Sequence, residues 1–166
     1  EAFTKSNKDI VIEIYDAENN LIKTAKNKEE IVINNPHLWN GKKDPYLYVA
    51  KAKLMDNDKV IDEVSHQFGF RTFTYDSKKG FFLNGVSYPL RGVSRHQDRL
   101  LKGNAISKED QEEDMNLILD IGANTVRLAH YQHDDYFLDL CDKYGLVIWA
   151  EVPYISKHMP NAKDNI

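Results

Sequence analysis

The chain has 166 residues, of which 42% are hydrophobic and 29% charged, a balance typical of a globular protein rather than a disordered or fibrous one. Its formal net charge of −4 gives no positive field of the kind nucleic-acid binders use, so we expect neither a DNA nor an RNA partner. No apolar run approaches the roughly 20 residues of a membrane span, and the single cysteine, Cys141, excludes an internal disulfide and a zinc site built on two or more cysteines.

Short runs that alternate apolar and polar residues make up the first part of the chain, residues 1–75. In DIVIEIYD, the side chains of Ile10, Ile12 and Ile14 fall on one face of a predicted strand. The pattern predicts further strands in LIKTAK, EEIVIN, PYLYVAKAKLMD and VIDEVSHQFGFRTFTYD. An Asn-, Gly- and Pro-rich loop at 34–45 contains Trp39, which fits a core anchor better than a sugar platform. Short strands without a helical period predict a partial β-sandwich.

After Asp76 the pattern changes to strands that alternate with helices. A hairpin, FFLNG followed by VSYPLRGVS, leads to a helix with Ser107 as its N-cap and Asp110 placed to close a capping box. The strand TVRLAH, the helix DDYFLDLCDKYG and the strand LVIWAE follow, and the apolar LVIWAE is expected to be buried on both faces. Strands that start near 88, 125 and 146 predict βαβ units, as in a (β/α)8 barrel or a doubly wound sheet. No nucleotide-binding glycine motif follows any of them.

Polar and aromatic side chains follow the carboxyl ends of these three strands, where parallel α/β folds place their sites. They are Arg95, His96, Gln97 and Asp98, then Arg127, His130, Tyr131 and His133, and finally Trp149, Glu151 and Tyr154. If these groups converge on one rim, they can bind a polyhydroxylated ligand, because each hydroxyl both donates and accepts hydrogen bonds.

Each candidate also has a structural explanation. His96 could belong to a surface loop, and Arg127, in an otherwise apolar strand, requires an ionic partner that is either structural or functional. Glu151 could cap a neighbouring helix or hold a site residue in place. The HxxH spacing of His130 and His133 is only a weak zinc signal on an extended segment.

Four stretches of the second part together resemble the opening of the catalytic barrel of glycoside hydrolase family 2: NGVSYPLRGVSRH, SKEDQEED, NTVRLAHY and LCDKYGL. In the first part, NPHLW, PYLYVAKAKL and FGFRTF resemble the immunoglobulin-like domain that precedes this barrel. The resemblance implies a mixed β and α/β fold, with an N-terminally incomplete immunoglobulin-like β-sandwich at 1–75 and the first β/α units of a (β/α)8 TIM barrel at 76–166. Because a full barrel takes about 250 residues, we expect the chain to be an internal fragment.

The resemblance also implies roles for individual residues. Family members are retaining glycosidases that use two glutamates from the fourth and seventh barrel strands, and no residue of this chain matches either one. Arg127 resembles an arginine that hydrogen-bonds the nucleophile carboxylate, and His96 and His130 resemble histidines that contact sugar hydroxyls. We expect Trp149 and Glu151 on the rim of the pocket, with Glu151 not acting as a catalyst.

The combination of RHQDR with GNA is most similar to the β-galactosidase branch of the family. The parent protein is therefore expected to hydrolyse terminal β-galactosides, with a β-glucuronidase, a β-mannosidase or a non-catalytic carbohydrate-binding or structural module as alternatives. Ile155 and Lys157 stand where some relatives hold magnesium ligands, so we expect neither a metal nor a cofactor. The fragment itself is expected to be inactive and to associate with itself through its open barrel edge. The compartment stays open between bacterial cytoplasm and periplasm.

Overall fold

The computed structural model describes residues 8–153. The chain divides into two compact units, one of residues 1–39 and 46–71 and the other of residues 40–45 and 72–166. Each unit has its own sheets, and each is described by itself.

From residue 8 onward, the first unit contains a four-stranded antiparallel sheet with the order β2-β1-β3-β4. Its strands are β1 (Asp9–Tyr15), β2 (Leu21–Lys26), β3 (Tyr48–Asp56) and β4 (Lys59–Phe68). The turn between β1 and β2 forms because Asn19 adopts a left-handed φ of 63° and the Asp16 carboxylate accepts from the amide of Asn20 at 2.7 Å. These strands supply one layer of the predicted partial sandwich.

The two faces of β1 differ as its alternating pattern predicts. Ile10 and Ile14 are buried on one face, whereas Glu13 on the other accepts from the Lys53 ammonium at 2.7 Å. Trp39 is only 2% exposed, which confirms that this residue is a core anchor. A tryptophan buried to this extent cannot serve as a sugar platform.

The prediction of a strand in EEIVIN is wrong, because residues 29–34 form no strand. The strand β2 ends at Lys26, and Asn27 turns the chain with a left-handed φ of 52°. The Asn27 side chain then bonds back to β1, accepting from the amide of Ile10 at 2.9 Å. After this turn Val32 is 57% exposed. The run EEIVIN therefore has a strand-like composition but does not pair with a neighbouring strand.

In the second unit, the residues up to 153 form two small sheets and two α-helices. An antiparallel sheet consists of β5 (Phe73–Asp76), β6 (Gly80–Leu83) and β7 (Val86–Ser87). A parallel sheet has the order β10-β9-β8 and consists of β8 (Gly92–Arg95), β9 (Thr125–Leu128) and β10 (Val147–Ala150). The helix α1 (Lys108–Asp120) precedes β9, and α2 (Asp135–Tyr144) precedes β10. No helix within residues 8–153 is long and apolar enough to cross a bilayer.

The predicted strand VSYPLRGVS is divided into β7 and β8, so the first parallel strand begins at Gly92 rather than near 88. Pro89 lies in the break, where its missing N–H cannot contribute to a sheet ladder. The close approach of β8 to β9 explains the glycine at the start of β8, since a Cβ on Gly92 would lie 1.9 Å from the carbonyl oxygen of Thr125.

The helix α1 begins as its sequence predicts. The Ser107 hydroxyl accepts from the amide of Asp110 at 3.3 Å, and the Asp110 carboxylate accepts from the amide of Ser107 at 2.9 Å. This reciprocal capping box satisfies two amides that the helix itself cannot pair.

Replacing Ser107 by Ala is expected to lower the free energy of unfolding by about 1 kcal/mol, the usual cost of losing an N-cap hydroxyl. Urea unfolding followed by circular dichroism measures the change. The variant Ser77→Ala, in the turn between β5 and β6, is the matched control. An S107A midpoint equal to that of the control would contradict a stabilising cap.

The core of the second unit lies between the parallel sheet and the two helices. The side chains of Val126 and Leu128 point into this core, and they alternate with Thr125 and Arg127, which lie on the opposite face of β9. The other buried members of the core come from the helices and their flanks: Met115, Ile118, Ala123, Phe137, Leu140, Cys141 and Leu146. The parallel sheet therefore has a helix-covered face and a second face that carries Arg127.

The prediction that the last strand is buried on both faces is wrong. Trp149 is 62% exposed, and Val147 and Ile148 are only partly buried. The strand β10 lies at the edge of the sheet, and among residues 8–153 no element of this unit covers the face that carries Trp149.

Candidate functional site

The register of the parallel sheet decides which side chains share a face. Ser94, Arg127 and Trp149 are paired in one row across the three strands. Because paired residues of a parallel sheet point to the same side, all three lie on the face opposite the helices. Glu151 lies two residues after Trp149, just past the carboxyl end of β10. His130 lies three residues after Arg127, just past the carboxyl end of β9.

Arg127, His130 and Glu151 form a compact polar cluster at these strand ends. The Arg127 Nε donates to Glu151 Oε1 at 2.6 Å, and the Arg127 Nη2 donates to Glu151 Oε2 at 3.2 Å. His130 Nδ1 lies 2.8 Å from the same Oε2. The Ala129–His130 peptide bond, which leads into this cluster, is cis. The ionic partner that the Arg127 position requires is therefore Glu151.

The carboxylate of Glu151 is held in its ionised form. The hydrogen bond from Arg127, followed by that from His130, lowers the pKa of Glu151 below its ordinary value. A carboxyl group with a lowered pKa is an acceptor at neutral pH and not an acid.

The contacts of His130 assign its proton. Its Nδ1 lies between a carboxylate oxygen, which only accepts, and the Arg127 Nη2 at 3.1 Å, which only donates. We assign the proton to Nδ1, since the contact with Glu151 is the shorter of the two. The ring nitrogen left for a ligand is then Nε2.

His96 joins the cluster from the end of β8. Its ring packs edge-on against the ring of His130, with centroids 5.3 Å apart, and lies 6.1 Å from that of Tyr131. The Tyr131 hydroxyl accepts from the amide of Gln97 at 3.1 Å, and the Gln97 side chain accepts from the amide of Asp134 at 2.6 Å. The structure therefore brings together His96, Arg127, His130 and Glu151, with Trp149 on the same face of the sheet.

Arg95 and His133 do not belong to this rim, although the sequence placed them there. Arg95 is paired in register with Leu128 and is therefore on the helix-covered face. Its Nε donates to Asp114 of α1 at 2.9 Å, and its guanidinium lies 3.8 Å from the ring centroid of Phe137. Strand alternation separates Arg95 from His96, and that signal was already available in the sequence.

His133 is a buried and neutral histidine. Its Nδ1 accepts from Arg95 Nη1 at 3.0 Å, because an arginine can only donate, and its Nε2 therefore donates to the carbonyl of Ala129 at 3.1 Å. Burial, together with the nearby Arg95 cation, lowers the pKa of His133 below its ordinary value.

This burial predicts a pH dependence of stability. Because the pKa of His133 is lower in the folded chain than the ordinary value of 6.5, the unfolded chain takes up the proton first as the pH falls. The contribution of this group to stability is complete above the unfolded value of 6.5 and decreases as the pH falls below it. In thermal unfolding at a series of pH values, His133→Gln should flatten this decrease.

The control is His66→Gln, at an exposed position on β4. If H133Q and the wild type lose stability in parallel as the pH falls, His133 is not the group responsible.

Sequence reasoning missed Arg99, which ties the loop after β8 to α1. Its Nη1 donates to Glu113 at 2.6 Å and its Nη2 to Asp114 at 2.8 Å. Lys102 donates to Asp110 at 2.6 Å and lowers the pKa of that carboxyl to about 2. Basic residues just before the acidic helix start SKEDQEED were the available signal. These ion pairs connect the loop that follows His96 to α1.

The metal-ligand positions considered from the sequence, Ile155 and Lys157, lie outside the described residues, as does Tyr154. Within residues 8–153, no three His, Cys, Asp or Glu side chains are grouped so that they could hold a metal ion. His130 and His133 face different partners, as described above.

Comparisons with known proteins place the two parts of the chain in one family. The sequence model of the glycosyl hydrolases family 2 TIM barrel domain matches residues 76–166, and that of glycosyl hydrolases family 2 matches residues 3–71.

Individual relatives agree with this match. A beta-glucuronidase from Bacteroides fragilis is 46% identical over 125 residues, which cover 75% of this chain and 18% of the relative. A beta-galactosidase from Psychromonas ingrahamii is 38% identical over 125 residues, which cover 75% of this chain and 12% of the relative. The crystal structure of an FMN-binding beta-glucuronidase from Faecalibacterium prausnitzii L2-6 superimposes with a TM-score of 0.86 at 38% identity, covering 95% of this chain and 26% of that one. The chain thus spans less than a fifth of the length of these two curated relatives.

Proposed function

The chain belongs to glycosyl hydrolase family 2, and from this membership we propose that the whole protein hydrolyses a terminal β-glycosidic bond with retention of configuration at the anomeric carbon. The observation that carries the proposal is the cluster of Arg127, His130 and Glu151 at the carboxyl ends of β9 and β10. This is the end of a parallel sheet where barrel enzymes place their chemistry.

In the proposed reaction, two carboxyl groups about 5 Å apart act as nucleophile and acid/base. No residue of this chain matches either group, so they come from other segments of the whole protein. We propose that Arg127 binds the nucleophile carboxylate. Its contacts with Glu151 and His130 use Nε and Nη2, and an arginine has further donors on Nη1 for a second carboxylate. Such a contact keeps the nucleophile ionised and oriented.

We propose that His96 and His130 bind the sugar. The edge-on packing of the two rings, with centroids 5.3 Å apart, puts both imidazoles on the same rim. Each ring offers a nitrogen to a sugar hydroxyl, which can donate or accept as the tautomer requires. The exposed Trp149, on the same face of the sheet as Arg127, offers an apolar surface to a sugar ring.

Two sugars are the candidates. A β-galactoside is favoured by the stretch RHQDR with GNA, and by the similarity to a beta-galactosidase at 38% identity. A β-glucuronide is favoured by the similarity to a beta-glucuronidase at 46% identity. The glucuronide carries a carboxylate at C5 that needs a cation, and Arg127, the described rim arginine, pairs with Glu151 and is assigned above to the nucleophile carboxylate. Selection between the two sugars therefore depends on cations beyond this pair.

The test is to assay the whole protein in parallel with p-nitrophenyl β-galactoside, β-glucuronide and β-mannoside at equal concentrations. Proton NMR during turnover should show the β-anomer as the first product, which identifies retention. An α-anomer as first product would overturn the two-carboxylate mechanism. Sugar binding without hydrolysis of any of the three would favour a carbohydrate-binding module instead.

The 166-residue chain, expressed alone, should hydrolyse none of these substrates, because it holds no match to either catalytic glutamate. We also propose that the chain alone associates with itself through the open edge of β10 and the face carrying Trp149. Size-exclusion chromatography with light scattering tests this, and a monodisperse monomer would contradict it.

A further inference from the structure

We propose that Glu151 is a positioning residue, whose carboxylate holds Arg127 and His130 in the arrangement that the reaction requires. This inference rests on the proposed function, since it assigns Glu151 a part in the same site. It also concerns geometry that can be examined without activity.

Both carboxylate oxygens of Glu151 are in use. Oε1 accepts from Arg127 Nε at 2.6 Å, and Oε2 receives the contacts of Arg127 Nη2 and His130 Nδ1 at 3.2 and 2.8 Å. Arg127 belongs to β9, His130 to the segment after it, and Glu151 directly follows β10. A single carboxylate therefore connects two neighbouring strand ends and two side chains with different expected tasks.

The contribution of this cluster to fold stability is small. Arg127 and His130 side chains are 42% and 38% exposed, and ion pairs this accessible to water contribute little to stability. A long arginine side chain has many rotamers, and the two-point contact with Glu151 restricts them before substrate binds. The function of the contact is thus orientation of Arg127 more than stabilisation of the chain.

Glu151 also fixes the proton of His130. A carboxylate that accepts from Nδ1 keeps the imidazole in one tautomer and leaves Nε2 as an acceptor for a sugar hydroxyl. Glutamine at this position retains one acceptor oxygen, and its amide group presents hydrogens to a second donor. With the glutamine oxygen accepting from Arg127, His130 keeps its contact with residue 151 only if Nδ1 gives up its proton and accepts from the amide, so the tautomer that the wild-type carboxylate fixes is lost.

The first test is Glu151→Gln in the whole protein, assayed with the p-nitrophenyl glycoside that the wild type hydrolyses best. We expect kcat/KM to fall about tenfold or more, since small misplacements of catalytic groups are costly, with the unfolding midpoint nearly unchanged. Glu13→Gln is the matched control, because Glu13 is also a mostly buried glutamate in a 2.7 Å ion pair, with Lys53 in the first unit. The control should keep full activity.

The second test is a double-mutant cycle of E151Q with Arg127→Ala. If Glu151 acts through Arg127, the loss in the double variant should be clearly smaller than the sum of the two single losses, since only the part exerted through His130 remains, whereas a residue with a separate task gives additive losses. Additive losses, or an E151Q enzyme with wild-type kcat/KM, would overturn the proposal.

A crystal structure of the E151Q protein separates this proposal from the proposed function. Displaced or multiple conformers of Arg127 and His130 support positioning by Glu151, and unchanged side chains overturn it. A wild-type protein without glycosidase activity would refute the proposed function alone, because the structural comparison still decides the role of Glu151.

Discussion

Replacing Arg127 by Ala in the whole protein is expected to lower kcat by about 10²- to 10³-fold, the usual loss when one preorganised donor is removed from a charge-stabilising site. Arg127 lies on the face of β9 opposite the core, where it pairs with Glu151 at 2.6 Å. Its removal leaves the Glu151 carboxylate with His130 alone and deprives the proposed nucleophile of its orienting donor. Steady-state kinetics on the best p-nitrophenyl glycoside measures the loss.

Two further variants sharpen this experiment. Arg127→Lys keeps the charge but offers one point contact instead of a planar fork, so its kcat should fall between those of R127A and the wild type. Arg91→Ala, at the opposite end of the parallel sheet with an exposed side chain, is the matched control and should keep wild-type kcat. A kcat for R127A within threefold of that for R91A would contradict the role proposed for Arg127.

Local signals predicted the elements of the second unit well. The capping box of Ser107 and Asp110 and the C-terminal glycine of α2, Gly145 with its left-handed φ of 75°, fix helix ends by contacts between residues a few positions apart. Contacts of this range are encoded directly in the residue pattern. The chain order of strands and helices followed from them, and so did the parallel sheet.

The failures concern contacts at long range. The run EEIVIN has strand composition, yet a strand forms only where a second edge is available, and Val32 is exposed instead. The apolar β10 was expected to be covered on both sides, but it lies at the edge of its sheet and Trp149 is exposed. An isolated stretch of sequence contains no information on whether a covering layer is present.

The candidate site was predicted as a group of residue types, and its internal geometry was not. Strand ends pointed to His96, Arg127, His130 and Glu151, and the structure brings all four to one rim. The pairing of Arg127 with Glu151 depends on the register of β9 with β10, which no local pattern specifies. Arg95 was grouped with its neighbours at the strand end, whereas it lies on the helix-covered face and donates to Asp114 of α1.

Replacing Phe137 by Ala should have the largest effect on stability, lowering the free energy of unfolding by about 3–5 kcal/mol. The ring is 0% exposed between α2 and the parallel sheet. It also lies under the Arg95 guanidinium, 3.8 Å from its centroid to Cζ, so its loss removes a cation–π contact from a buried charge in addition to opening a cavity. Urea unfolding monitored by far-UV circular dichroism measures the change.

Leu117→Ala is the matched control, since Leu117 of α1 is 60% exposed and its truncation opens no cavity. A loss for F137A below about 1 kcal/mol, close to that of an exposed residue, would contradict the core placement of Phe137. F137A is expected to reduce stability and R127A to reduce turnover, because Phe137 lies on the helix-covered face of the sheet and Arg127 on the other. Arg127→Ala should reduce turnover in a protein that unfolds normally, whereas the folded fraction of Phe137→Ala should retain the arrangement of Arg127 with Glu151.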